Sequence, residues 1–431
     1  MNILMMTNTY KPLVGGLEKS VESFTKELRE RGHRVMIVAP EYPGMRKEQG
    51  VIRIPAIQNF NGSDFSVQLP IPGVLTAALE NFTPDLVHSH HPFLIGDTAL
   101  RVASKYNVPL VFTHHTLYEE NVHYIPGDEE AWKRFVIELS SGYANLADLV
   151  LVPSESVRKM LKDRNVITPT EVVPTGIYTK RFSRGGRKEF RKRIDIPQEA
   201  FVVGHLGRLA PEKNLEFLSK AVAQFLKGEI DAYFLVAGKG PSEELIKEIF
   251  RQEGLSDRLR FAGVVQGKDL VDTYHAMDVF AFASQSETQG LVLAEAMAAG
   301  IPVVAVDAPG VREVVKDTQN GCLLESEDMS DFILALQWME GRTASQWKKI
   351  KSCCRETAEE FSMKNSIEKV AKVYTSLLIV QGFTRRPAED SPWATTLRLI
   401  QTQWELMKNL TKATGALLIP EEIAVKEETL I

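Results

Sequence analysis

What this 431-residue chain lacks removes several classes of protein at once. It has three cysteines, Cys322, Cys353 and Cys354, at no zinc-ligand spacing, so reduced thiols in a cytosolic setting are expected. No apolar run approaches a membrane span, and any membrane role must be peripheral. The first residues, Met1 to Thr7, carry no basic n-region and read as a strand and not as a signal peptide. A basic excess is also missing: 51 Lys and Arg against 56 Asp and Glu leave a net charge of −5, which argues against a dedicated nucleic-acid binder. There is no Asp-x-Asp, no His-Glu-x-x-His, and no Gly-x-Gly-x-x-Gly after any expected strand. What remains is 44% hydrophobic and 25% charged, a soluble globular composition long enough for two or three domains at roughly 150 residues each.

Short apolar runs alternate with helical periods. Strands are expected at Ile3–Thr7, Arg34–Ala39, Asp85–His88, Pro109–Thr113 and Leu149–Val152, then at Phe201–Leu206, Ala232–Ala237, Val279–Ala283 and Pro302–Val306. This βαβ rhythm predicts an α/β protein with two Rossmann-like, doubly wound parallel sheets. The rhythm breaks at Arg181–Arg193, where seven Lys and Arg meet one Glu around Gly185-Gly186. A solvated connector explains it, as does a patch for phosphate or anionic lipid. The expected layout is therefore one domain over 1–185, a second over 198–363, a helix over 364–382 packing back toward the first domain, and a tail over 383–431. In the tail Trp393, Leu397, Ile400, Trp404 and Met407 recur at helical spacing, a stripe expected to dock on protein or to lie on a membrane surface. Its end, Glu421 to Ile431, is acidic and expected to be loose.

In open α/β sheets ligands bind beyond the carboxyl ends of the strands, and this sequence places unusual residues there. The first strand leads into Lys11-Pro12-Leu13-Val14-Gly15-Gly16, a tight turn or a phosphate-approaching loop. Six of the nine histidines (His88, His90, His91, His114, His115, His123) fall between residues 88 and 123, five of them after two successive strand ends. They suit an active-site rim; metal ligation is the lesser alternative. Gly207-Arg208 with Lys213 supplies a bidentate and a point cation suited to a diphosphate, or two ordinary surface cations. Past the strand at Val279–Ala283 come Glu287, Gly290 opening a helix, and Glu295. The amides of Gly290 and Leu291 suit a phosphate, and the flanking carboxylates suit sugar hydroxyls. A diphosphate with a sugar at each end fits: a nucleotide sugar.

Glu287-x7-Glu295, Gly207-Arg208 with Glu212-Lys213-Asn214, the Gly15-Gly16 loop, Ala296-Met297-Ala298-Ala299-Gly300-Ile301-Pro302-Val303-Val304 and Glu313 together resemble the retaining glycosyltransferases of family 4, which have the GT-B fold. The resemblance runs from about residue 1 to 380 and implies two Rossmann-like domains facing a central cleft. It implies that Arg208 and Lys213 clamp the diphosphate, that Glu295 holds the nucleotide ribose, and that Glu287 faces the transferred sugar. It further assigns Gly290 and Leu291 to phosphate and sugar, Gly16 to the closing loop, Val265 to the nucleobase through its backbone, and His115 to a catalytic place near the sugar. Pro92-Phe93-Leu94, Thr116-Leu117-Tyr118-Glu119-Glu120, Val122-His123-Tyr124 and Pro174-Thr175-Gly176-Ile177 are similar to bacterial diacylglycerol glucosyltransferases. That narrower likeness puts His90, Tyr118, His123 and Tyr124 on the acceptor side. His114 and Tyr178 depart from it, since tyrosine and aspartate are usual there.

The resemblance implies a hexosyltransferase that needs no metal or other cofactor, takes a nucleotide sugar, with UDP-glucose the expected donor, and glycosylates a membrane lipid such as diacylglycerol with α retention. It implies a cytoplasmic protein, peripheral at the inner face of the cell membrane, with no nucleic-acid partner. Mannosyl transfer, or transfer to a polysaccharide or soluble sugar, is the alternative within the family. Outside it stand an inactive homologue acting as a binding protein and a nicotinamide oxidoreductase, the latter opposed by the missing glycine fingerprint.

Overall fold

The computed structural model describes residues 1–418 apart from 14, 47, 58–66, 69–74, 76–78, 126, 285 and 381–391. The side chains of His123 and Tyr124 and the acidic end of the tail lie outside the described residues. The chain forms two compact units, Met1–Val173 with Ile367–Ile431, and Pro174–Ser366.

The first unit is built on a seven-stranded sheet. Its strands are β1 (Asn2–Met6), β2 (Arg34–Pro40), β3 (Val51–Ile54), β4 (Leu86–Ser89), β5 (Leu110–Thr113), β6 (Leu149–Val152) and β7 (Thr170–Val172), in the order β3-β2-β1-β4-β5-β6-β7. Every pairing is parallel. Strands buried on both faces need continuous apolar runs, and β4, β5 and β6 are buried along their whole length. The second unit repeats the plan with six strands, β8 (Phe201–Leu206), β9 (Ala232–Ala237), β10 (Leu259–Gly263), β11 (Val279–Phe282), β12 (Val303–Val306) and β13 (Gly321–Leu324), ordered β10-β9-β8-β11-β12-β13. Separate apolar clusters cover its two faces, one including Val202, Phe280 and Leu293, the other Val203, Phe234 and Leu218. In both sheets the order reverses beside the first strand, between β1 and β4 and between β8 and β11, the place where an α/β sheet opens a ligand crevice.

Two expectations about layout change. The expected first domain ended at 185, but the first unit ends at Val173, and the basic segment belongs inside the second unit. Arg191 on the helix Arg187–Arg193 is completely buried. Its guanidinium donates to the carbonyls of Ala276, Gln198 and Ala200 at 2.8–2.9 Å and pairs with Asp278 at 2.7 Å, which also binds Arg187 at 2.8 Å. A run that reads as a solvated connector is thus partly a buried strut. Pro174-Thr175-Gly176-Ile177 also has a structural place: the amide of Ile177 donates to Phe361 O and that of Met363 to Ile177 O, at 2.9 and 2.8 Å. A side chain at Gly176 would meet the Met363 Cα at 2.4 Å, so only glycine lets these two segments run side by side.

The helix Met363–Val380 enters the first unit from Ile367 onward, where Tyr374 is fully buried. The tail forms a second long helix, Pro392–Leu418, on the helices Ile95–Tyr106 and Glu129–Ala144. It docks by a small and polar face. Ala413 and Leu406 are buried, Asn409 donates to Leu139 O at 3.1 Å, Arg398 to Ser104 O at 3.1 Å, and Arg134 to Ala416 O at 3.3 Å. Gly142 permits the approach, since a Cβ there would overlap the Asn409 side chain at 1.7 Å. The aromatic and aliphatic stripe is exposed, so of its two expected places it does not take the one docked on protein.

Candidate active site

Each sheet gathers its unusual residues at its reversal point. In the second unit β8 ends at Leu206 and turns through Gly207, whose amide donates to Ala237 O at 3.0 Å. Gly238, at φ +137°, lies so close to this turn that a Cβ would stand 1.8 Å from Gly207 O. Gly238-Lys239-Gly240 is therefore a packed turn buttressing the next one. Arg208, half-exposed, pairs with the nearly buried carboxylate of Glu212, leaving its guanidinium at the protein surface. Lys213 ends a single 3-10 turn and sends its ammonium to Glu287 Oε2 at 3.3 Å and Ser284 Oγ at 3.5 Å. The hydroxyls of Ser284 and Ser286 donate to Glu212 O at 3.1 and 3.3 Å, tying the loop after β11 to the loop after β8.

Glu287 also accepts the Gly290 amide on Oε1 at 3.1 Å. Gly290 is the N-cap of the helix Leu291–Ala298 and has a left-handed φ of +73°. The amide expected to await a phosphate is thus taken by the carboxylate, which sits between a helix N-terminus and a lysine. Glu295, a turn into the helix, is nearly buried and accepts the phenol of Tyr274 on Oε2 at 2.9 Å. Burial and the adjacent carboxylate raise the Tyr274 phenol well above its ordinary value, so it remains a donor. Leu291 and Val265 are partly buried against the same apolar cluster. The structure therefore brings Arg208, Lys213, Glu287, Gly290, Leu291 and Glu295 to neighbouring strand and helix ends of one unit.

In the first unit β1, β4 and β5 end in a histidine cluster. The His88 ring is held at 2.6 Å on each side, Nδ1 by Tyr374 Oη and Nε2 by Thr113 Oγ1. The His90 ring lies 4.1 Å from that of His88, and His90 Nδ1 shares a hydrogen bond of 2.9 Å with His115 Nε2. The Asn8 amide donates to His91 Nδ1 at 3.1 Å, which fixes the His91 proton on Nε2 when the ring is neutral. Burial lowers His88 and His91 to about 3 and His114 to about 4, and pushes His90 and His115 well down, so the rings are neutral donor–acceptor groups at ordinary pH. His90 is wholly buried and touches His115, which places it behind that residue. Tyr118 is buried against Phe93, Val122 and Val136, edge-on to His114. Gly16 opens the helix Gly16–Glu30 at the end of the loop after β1. Among the described residues no group of three or more His, Cys, Asp or Glu could hold a metal ion, and the histidines engage one another and their neighbours instead.

Three contributors carry no motif in the sequence: Tyr274 behind Glu295, Tyr374 behind His88, and His205. The last is buried beside Gly207, donates Nδ1–H to Ala281 O at 3.1 Å, and is lowered to about 4 by burial. Their only signal is a polar group among apolar neighbours near a strand end or in a helix.

This architecture, two reversed-order parallel sheets with loaded strand ends, is that of the GT-B glycosyltransferases. Residues 186–351 match the profile described as Glycosyl transferases group 1, and residues 14–181 that of Glycosyltransferase Family 4. The chain is 30% identical over 409 residues, 90% of its own length and 89% of the relative's, to the alpha-monoglucosyldiacylglycerol synthase of Streptococcus pneumoniae. It is 26% identical to the GDP-mannose-dependent alpha-mannosyltransferase of Corynebacterium glutamicum, covering 79% and 80% of the two chains. Anabaena HepE, solved in complex with UDP, has the same fold at a TM-score of 0.70 and 22% identity, over 87% of this chain and 100% of that one. The chain belongs to the family 4 glycosyltransferases and is a hexosyltransferase.

Proposed function

We propose that the protein transfers glucose from UDP-glucose to a membrane lipid hydroxyl, with diacylglycerol as the acceptor, and retains the α configuration. The observation that carries this reading is the convergence of Arg208, Lys213, Glu287 and Glu295 at the β8 and β11 ends. The likeness to the S. pneumoniae synthase over nine-tenths of the chain supports the acceptor and the sugar. In this reading the sugar hydroxyls engage Glu287 and the ribose hydroxyls engage Glu295. Arg208 and the ammonium of Lys213 neutralise the diphosphate as its bond to C1 breaks. The acceptor oxygen bonds to C1 on the same face, and its proton passes to the departing phosphate oxygen. In the first unit His115 is a neutral hydrogen-bonding group, kept so by burial and bonded to His90. Two cations in this role require no metal ion, so transfer should persist in chelator. The protein then acts as a peripheral enzyme at the cytoplasmic face of the membrane.

The likeness to the C. glutamicum mannosyltransferase favours a second reading, mannosyl transfer from GDP-mannose. Purified protein offered both donors, with diacylglycerol or phosphatidylinositol in detergent micelles, distinguishes them by mass spectrometry of the lipid product. Monoglucosyl-diacylglycerol is expected. Product only from GDP-mannose moves the assignment to the second reading, and no glycolipid from any pair overturns the lipid acceptor.

A further inference from the structure

The C-terminal helix leaves an apolar face without a partner among the described residues. Trp393, Leu397, Ile400, Trp404 and Met407, with Leu410 at their border, are 47–68% exposed. They are six of the twelve large hydrophobic residues that stand exposed among the described residues. Isolated exposed apolar side chains are ordinary, but a contiguous stripe marks an interaction surface. The stripe cannot turn inward, because Leu406, Asn409 and Ala413 fix the opposite face against the helix Glu129–Ala144.

We propose that this face docks the protein on an anionic lipid bilayer, lying in the headgroup plane. The choice of a bilayer rests on the lipid-acceptor reading above and on the chemistry of the face. At about 100° per residue, the half of the helix centred on the stripe holds these apolar residues, threonine, glutamine and glycine, and one charge, Lys408. No carboxylate lies on that half; Glu405 sits toward the docked side, and its Oε1 pairs with the Lys408 ammonium at 3.0 Å, an exposed pair that contributes little and can yield to a headgroup phosphate. The Lys408 ammonium stands 5.8 Å from the Trp404 ring, so stem and indole share one edge of the stripe, as expected at an anionic headgroup layer. The two tryptophans lie about 16 Å apart along the helix, both at one level of the interface. Arg398, Glu405, Lys408 and Lys412 prevent the helix from spanning, and no described helix is long and apolar enough to cross a membrane.

The test uses the full chain and vesicles of phosphatidylcholine or phosphatidylglycerol that contain no diacylglycerol. Wild-type protein should sediment with phosphatidylglycerol vesicles, and lipids brominated along the acyl chain should quench fluorescence that Trp393→Phe/Trp404→Phe removes. Leu397→Gln/Ile400→Gln/Trp404→Gln should lower partitioning by about tenfold or more while far-ultraviolet dichroism is unchanged. Lys408→Glu, which leaves the stripe intact, should weaken binding to phosphatidylglycerol and not to phosphatidylcholine. In both variants, transfer to acceptor dispersed in detergent should stay near wild type while transfer to acceptor in vesicles falls. Undiminished vesicle binding by the triple variant overturns the proposal. So does a wild-type dimer in solution that the triple variant makes monomeric, since the stripe then covers a second copy. Vesicle binding without lipid glycosylation leaves this surface standing and refutes only the acceptor.

Discussion

The ammonium of Lys213 lies 3.3 Å from Oε2 of Glu287, whose Oε1 takes the Gly290 amide at 3.1 Å. One carboxylate thereby joins the loop after β8 to the helix that follows β11. Both side chains are about one-fifth exposed, so the pair remains within reach of a ligand. Glu287→Ala should cut kcat/KM for transfer by about 10²–10³-fold, the loss typical of one preorganised group at a reacting centre. The melting temperature should stay within a few degrees. Steady-state kinetics beside a thermal melt decides it, and unchanged kcat/KM removes Glu287 from the donor site.

Tyr274 acts through Glu295, orienting it. Tyr274→Phe deletes only the phenol that donates to Glu295 Oε2 at 2.9 Å. A buried bond to a charged group is worth about 1.5–3 kcal/mol, so both stability and ribose recognition should weaken. The expected kinetic signature is a raised KM for the nucleotide sugar with kcat nearly kept. A fall in kcat alone would place the tyrosine elsewhere in the reaction.

Arg191→Met tests the buried strut. The guanidinium satisfies three backbone carbonyls and Asp278 with no exposure, and truncation leaves that carboxylate with Arg187 and the Val202 amide. Removing one partner of a buried pair costs about 3–5 kcal/mol, whereas an exposed connector residue would cost under ~0.5 kcal/mol. Urea unfolding followed by circular dichroism separates the two. Wild-type stability in the variant would restore the solvated-connector reading.

The buried histidines set an acid limit on stability. His88 and His91 titrate at about 3 and His114 and His205 at about 4 in the fold, through burial. In the unfolded chain each returns to about 6.5 and binds a proton that the native state refuses. Each therefore removes about 1.4 kcal/mol per pH unit as pH falls from about 6.5 toward its folded value. Calorimetric melting temperatures should fall steadily from pH 7 to pH 5, above the range where ordinary carboxylates titrate. A flat profile over that interval would mean that the rings are charged or exposed in the native state.

The sequence made the middle of each sheet legible and hid its margins. All nine expected strands exist, each within two residues at either end, because strands buried on both faces are continuous apolar runs. The four unread strands of the two parallel sheets, β3, β7, β10 and β13, are their four edges, with short or half-polar sequences such as Thr170-Glu171-Val172; the short antiparallel pair Ala56–Ile57 and Val67–Gln68 also went unread. The residues proposed for the donor side stand out in the sequence because they follow central strands directly. Tyr274 and Tyr374 do not, since each reaches its partner across 21 and 286 residues of chain from the middle of a helix. Composition misled at the basic run around Arg191, which reads as solvent-facing until its carbonyl partners are seen. For the tail stripe the sequence left protein docking and a membrane surface both open, and Gly142 shows that the other side of the helix approaches the protein.

We propose that Lys213 and its neighbours hold a nucleoside diphosphate at the β8 and β11 ends. Isothermal titration of UDP into the full chain, wild type and Lys213→Ala, tests it without any assumption about the acceptor. Loss of one charged contact to a phosphate should weaken binding by about tenfold or more, with the melting curve unchanged. Equal affinity in the two proteins would contradict the account.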